Sequence, residues 1–145
     1  MKKLALLALG LFTLTFQAQA AGDKPVKPEQ LPAPAKEFVA KYFPGVKIAS
    51  VKQDMEYTDR DYDVTLANQA EIEFNRKGLW KKVDCGQNAV PQGIVPQPIM
   101  QFVRTNHPGT SIVEIEREGK GGYQIQLNND TEIKFNDKFK ARYDD

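Results

Sequence analysis

The chain has 145 residues, with 20 Lys and Arg against 19 Asp and Glu, one Cys and one His. So even a balance excludes the marked basic excess of a nucleic-acid binder. One Cys cannot close an internal disulfide, and one Cys with one His falls short of a zinc ligand set, so cohesion must come from packing.

Residues 1–20 read as a signal peptide. Lys2 and Lys3 precede an apolar run from Leu4 to Phe16, and Ala18-Gln19-Ala20 supplies the small residues of a cleavage site. At 13 residues the run falls short of the ~20 a membrane span needs, so cleavage after Ala20 and a periplasmic or secreted product are expected. Loss of Lys2 and Lys3 leaves 18 basic against 19 acidic residues. Residues 21–30 are expected to be a disordered lead-in.

From residue 31 the chain is written twice. Pro32, Pro34, Phe38, Val39, Pro44, Gly45 and Ile48 recur 64 positions later as Pro96, Pro98, Phe102, Val103, Pro108, Gly109 and Ile112. Tyr62, Leu66, Asn68, Glu71, Ile72, Phe74, Asn75 and Lys77 recur 61 positions later as Tyr123, Leu127, Asn129, Glu132, Ile133, Phe135, Asn136 and Lys138. Each copy opens with a helix. Pro34 and Pro98 suit a first turn, where a missing N–H costs nothing. Ala35, Phe38, Val39 and Tyr42 make one apolar stripe, Ile99, Phe102 and Val103 another, and Pro44-Gly45 and Pro108-Gly109 end the helices.

Period-two alternation follows. Ala49 and Val51, then Tyr62, Val64 and Leu66, then Ile72 and Phe74 take one face in the first copy; Tyr123, Ile125, Leu127, Ile133 and Phe135 take it in the second. "ANQA", "NRKG", "NND" and "NDK" read as hairpin turns, and Leu79–Asp84 and Phe139–Tyr143 as closing strands. The expected fold class is α+β: two tandem α-β-β-β-β repeats over 31–84 and 95–145, joined by a linker at 85–94, forming an antiparallel sheet of about eight strands with the helices packed on one face.

These motifs resemble the PepSY-like periplasmic proteins common in gut Bacteroidetes. The residues that carry the likeness are the two helices, "FPG" and "HPG", "DYDV" and "GYQI", "EIEFN" and "EIKFN", and "GLWKKVDC". It extends over about residues 31–145 and implies tandem units similar to the fold of the beta-lactamase inhibitor protein, with helices on one face and an open face opposite. It also implies action as an inhibitor or regulator of a protease or other enzyme; no contact residue transfers by position.

Catalytic groups are scarce. His107 occupies the repeat position of Phe43, which points to packing or helix capping. Cys85 reads as a small half-buried residue. Asp59-x-Asp61-x-Asp63 begins like a calcium loop, but Val64 stands where the turn glycine belongs and Ala70 where the closing glutamate belongs. Glu71 and Glu73, with Asp61 and Asp63, read as the wet side of a sheet rather than an acid–base pair. No enzyme activity, cofactor or metal is expected.

The expected function is binding of a protein or peptide through the open sheet face, by a monomer or weak dimer that touches neither nucleic acid nor membrane. The candidate surface is Trp80, Lys82, Asp61, Asp63, Glu71, Glu73, Gln124, Gln126, Glu132 and Lys134. Trp80 joins this set if Leu79 and Val83 face the core; a register one residue different puts Trp80 inside. The alternative is a small-ligand or calcium binder through the acidic first hairpin.

Overall fold

The structure, a computed structural model, describes residues 22–55 and 59–144. The expected signal peptide and its cleavage point, Glu56 of the acidic hairpin, and Asp145 lie outside the described residues. The strands are β1 (Asp23–Pro25), β2 (Ile48–Asp54), β3 (Tyr62–Leu66), β4 (Glu71–Phe74), β5 (Trp80–Asp84), β6 (Ile112–Arg117), β7 (Tyr123–Leu127), β8 (Glu132–Phe135) and β9 (Ala141–Arg142). Two α-helices, α1 (Ala33–Tyr42) and α2 (Gln97–Asn106), precede β2 and β6.

The strands form one antiparallel sheet whose spatial order is their order in the chain. The ninth strand comes from the segment expected to be disordered. Asp23–Pro25 pairs with β2, the Val26 N–H donates to the Val51 carbonyl at 3.0 Å, residues 28–30 form a 3-10 turn, and Leu31 is buried. Leu31 supplies the reason for order: its side chain joins the core at the entrance to α1.

One row of β-branched residues runs directly across the sheet: Val51, Val64, Ile72, Val83, Ile115, Ile125 and Ile133, each opposite the next. All are 3% exposed or less, and with Ala35, Val39, Ile99 and Val103 of the helices they belong to a single core. Both helices therefore lie on the same side of the sheet. Their aromatic residues make closely similar contacts. Phe38 meets Phe74 edge-on at 5.5 Å and 86°, and Phe102 meets Phe135 at 5.3 Å and 87°. Pro32 and Pro96 take nearly the same dihedrals at the helix N-caps.

Asn side chains shape the hairpins. Asn75 Oδ1 accepts from the N–H groups of Lys77 and Leu79, and Asn136 Oδ1 does the same for Lys138 and Lys140. The residue three past each Asn has positive φ: Gly78 at +87° and Phe139 at +60°. At Gly78 a Cβ would come within 2.9 Å of Pro32 Cβ and 3.0 Å of the Ala35 nitrogen, so only glycine lets this turn touch the start of α1. Phe139 instead stacks its ring on Tyr123, with centroids 6.1 Å apart.

Two sequence expectations need correction. Ala49 is exposed, because β2 bulges between Ile48 and Ser50 and Ile48 packs against the core in its place. Trp80 does not stand on the open face. It pairs with Phe74 across a second bulge between Glu73 and Phe74, and packs on the helix side against Phe38, at a centroid distance of 6.4 Å. Leu79, which the register with Trp80 on the open face would have put in the core, is 52% exposed. The Arg117 guanidinium lies over the Trp80 ring, 4.1 Å from its centroid, and so bridges β5 and β6.

The Trp80→Ala variant is therefore expected to lose about 2 kcal/mol of stability, below the 3–5 of a fully buried ring because Trp80 is half-exposed. Urea denaturation measures it; a loss under about 0.5 kcal/mol, the size of an ordinary surface substitution, would contradict the placement.

Candidate functional site

Alternation fixes what the opposite face carries. Because the aliphatic row points toward the helices, the neighbours of each of its members must point away from them. One polar row runs Lys52, Asp63, Glu73, Lys82, Glu116, Gln124, Lys134 and Arg142, each directly opposite the next. A second runs Ser50, Thr65, Glu71, Asp84, Glu114, Gln126 and Glu132. Among the described residues, no helix or strand covers these rows.

Of the expected surface residues, Asp63, Glu71, Glu73, Lys82, Gln124, Gln126, Glu132 and Lys134 lie in these two rows. Asp61 sits just before β3, where its carboxylate accepts a hydrogen bond from Lys81. Trp80 is the exception. Lys52, Asp84, Glu114, Glu116 and Arg142 belong to the same rows and were not singled out from the sequence. Their signal was present in plain alternation: Asp84 follows core Val83, and Glu114 and Glu116 flank core Ile115.

The face is not uniform in charge. Over β2–β5 a depression of about 380 Å³ is lined by Lys52, Asp63, Glu71, Glu73, Lys82 and Asp84, with Asp23 at its margin. Lys81 Nζ lies 3.5 Å from Glu73, and Lys82 Nζ 3.5 Å from Glu114. Neither lysine reaches Asp63, whose pKa is raised by burial and then by the carboxylates of Asp23, Asp54, Asp61 and Glu71. Burial also raises Glu73, against the opposing pull of Lys81, and Glu114, against that of Lys82.

At β8–β9 the sign changes. Lys134 and Arg142 stand opposite each other, and Asp144 lies between them, 2.8 Å from Lys134 Nζ and 3.5 Å from Arg142 Nε.

Other candidate groups have structural settings. His107 is the C-cap of α2; its N–H donates to the Val103 carbonyl, and its Nε2 shares a 2.8 Å hydrogen bond with the Tyr143 hydroxyl. Cys85 is buried beside β6, where its N–H donates to the Val113 carbonyl. Its thiol is pushed up to about 11 by burial and then by Asp84, which keeps it a poor nucleophile. Asp59 is exposed, Asp61 is engaged by Lys81 and Asp63 turns onto the open face, so the calcium-like spacing is not gathered into a loop. Among the described residues no group of three or more His, Cys, Asp or Glu side chains could hold a metal ion. Nor is any described helix long and apolar enough to cross a membrane.

An antiparallel sheet with two helices on one face and mixed charge on the other defines an α+β architecture whose polar surface is set by its core. The chain belongs to the PepSY-like family: residues 60–142 match the family described as "Putative beta-lactamase-inhibitor-like, PepSY-like". Three solved structures of Bacteroides proteins are similar. One from Bacteroides vulgatus, described as a "putative periplasmic protein from DUF2874 family", is 38% identical, covers 87% of this chain and 99% of its own, and superposes with a TM-score of 0.80. One from Bacteroides thetaiotaomicron, described as a "putative calcium-regulated periplasmic protein", is 36% identical over 85% of this chain and 97% of its own, also with a TM-score of 0.80. A second from Bacteroides vulgatus, described as a "putative periplasmic protein of unknown function", is 35% identical over 83% of this chain and 99% of its own, with a TM-score of 0.76. No curated protein matches the sequence.

The raised carboxylates give a stability effect of definite sign. A carboxyl whose folded pKa exceeds its unfolded value holds more protons in the native state, so it weakens the fold above that pKa and ceases to do so as pH falls through it. Asp63→Asn is therefore expected to raise the melting temperature at pH 7, with a gain that shrinks as the pH approaches the ordinary carboxylate range. Thermal scans from pH 7 to pH 4 read this; an equal gain at both ends would show that Asp63 carries no such shift.

Proposed function

We propose that this is an exported, non-enzymatic binding module, processed after Ala20 and acting in the periplasm. In this reading its two α-β-β-β-β halves are copies of one unit, and it grips a protein or peptide through the open sheet face. Inhibition or regulation of a protease or other enzyme is the action this reading favours, by likeness to the family. The observation that carries it is the pair of polar rows, fifteen side chains wide in total, left without a covering element among the described residues. An uncovered face of this breadth offers room for a partner-sized interface. The periplasmic assignment draws support from the relatives' descriptions and from the N-terminal sequence.

A pull-down from periplasmic and outer-membrane extract tests it, comparing wild type with a Glu71→Lys/Asp84→Lys/Glu114→Lys variant whose melting curve is still cooperative. A partner held by wild type and lost by the variant is the expected result. Equal capture by both would move the binding surface elsewhere.

A second reading, binding of calcium or a small ligand through the acidic end, is favoured by the depression that Asp23, Asp63, Glu71 and Asp84 line; among the described residues these carboxylates are spread along it and form no ready-made ion site, so an ion would have to draw them together. A relative described as calcium-regulated adds to it. A ligand selective for the native state must raise its melting temperature. Under this reading calcium at 100 times its Kd adds about 2.7 kcal/mol of stability, and magnesium does not. No shift at millimolar calcium ends it.

A further inference from the structure

On one face of an antiparallel pair, like charges directly opposite each other repel. Lys134 and Arg142 are such a pair, at the last register position of the sheet. What reconciles them is Asp144, whose two carboxylate oxygens point one at each cation. Its carboxyl is held below the usual range, first by its hydrogen bond with Lys134.

Lys134 and Arg142 also line a depression of about 780 Å³, with Glu118, Lys120, Asp137 and Lys140 and, between them, Tyr123 and Phe135. Four cations face two carboxylates there. The tail reaches the site because Tyr143 turns to the helix side and bonds His107 at 2.8 Å, which leaves Asp144 on the open face. The Lys134 and Asp144 side chains are 34% and 47% exposed, and ion pairs this open to solvent are weak enough to exchange readily.

We propose that Lys134 and Arg142 form a carboxylate clamp that the chain's own Asp144 occupies as a stand-in, and that an acidic, extended segment of a protein partner takes its place. The proposal rests on the open-face reading for its partner and adds the partner's chemistry at this end. The acid-lined depression over β2–β5 lies at the opposite end of the same face, so a segment that docks across both ends would be acidic at one end and basic at the other.

The probe is a fluorescein-labelled hexapeptide of alternating glutamate and valine, titrated by anisotropy against the full mature chain at low ionic strength, where exposed charges are least screened. Asp144→Asn is expected to bind it about threefold more tightly than wild type, since the internal competitor is gone. Lys134→Glu/Arg142→Glu is expected to abolish binding while melting like wild type. The same peptide with glutamine for glutamate should not bind. Failure of Asp144→Asn to improve affinity, retention of binding by the double variant, or equal affinity for inorganic phosphate would each overturn the clamp. The pull-down is decided at the other end of the face. A null titration alongside partner capture therefore removes the clamp alone, and a positive titration with no partner removes the wider reading alone.

Discussion

The structure depends on one line of contact: the seven β-branched residues from Val51 to Ile133 that face each other across β2 to β8. Branched side chains pack well on a pleated surface, and fully burying one stabilises by about 1.5–3 kcal/mol. The critical link is Val83 opposite Ile115, because β5 and β6 are joined by residues 85–111, which carry α2, rather than by a tight turn, and pair over only three positions. Without that link α1 would cover a five-stranded patch and α2 a separate four-stranded one. With it, one core runs beneath both helices, and Trp80 and Arg117 clasp the same seam from its edge.

That row also dictates the polar face. The side-chain period of a strand is two, so a slip of one residue in any strand would send charged groups into the core and aliphatic ones into water. The open face is therefore as strongly specified as the buried one, although little of its own chemistry holds it in place. Its residual strain shows as much: Asp63, Glu73 and Glu114 all hold their protons more tightly than free carboxyls do, mainly because burial disfavours their charge.

Much of this was legible in the residues. Helix stripes at Ala35/Val39 and Ile99/Val103, the Asn-centred turns, and the alternation through Ile72/Phe74 and Ile133/Phe135 led directly to elements, faces and class. The misplacement of Trp80 has a specific origin. Matching greasy residues at the ends of the halves sets Leu79 against Phe139, one position out of step. In the structure the equivalent of Phe139 is Gly78, since both occupy the positive-φ place three residues after an Asn. A phenylalanine in that conformation is unusual enough that pattern alone pointed elsewhere. The bulge beside Phe74 compounds the error by breaking the alternation within β5. The order of residues 23–31 was missed for a different reason: three residues paired at an edge, two of them charged, carry no periodic signal, and their stability comes from Leu31 far more than from themselves.

The rims of the sheet limit its growth. β1 contributes three residues, one of them a proline with no amide hydrogen to give, and β9 contributes two. A foreign strand arriving at either rim finds at most a few rungs to climb, too short a ladder to hold it. So broad an antiparallel plate, carrying long aliphatic rows, would otherwise be a template for fibres. Among the described residues both flanks are thus blunted, and edge-to-edge pairing has little backbone to build on.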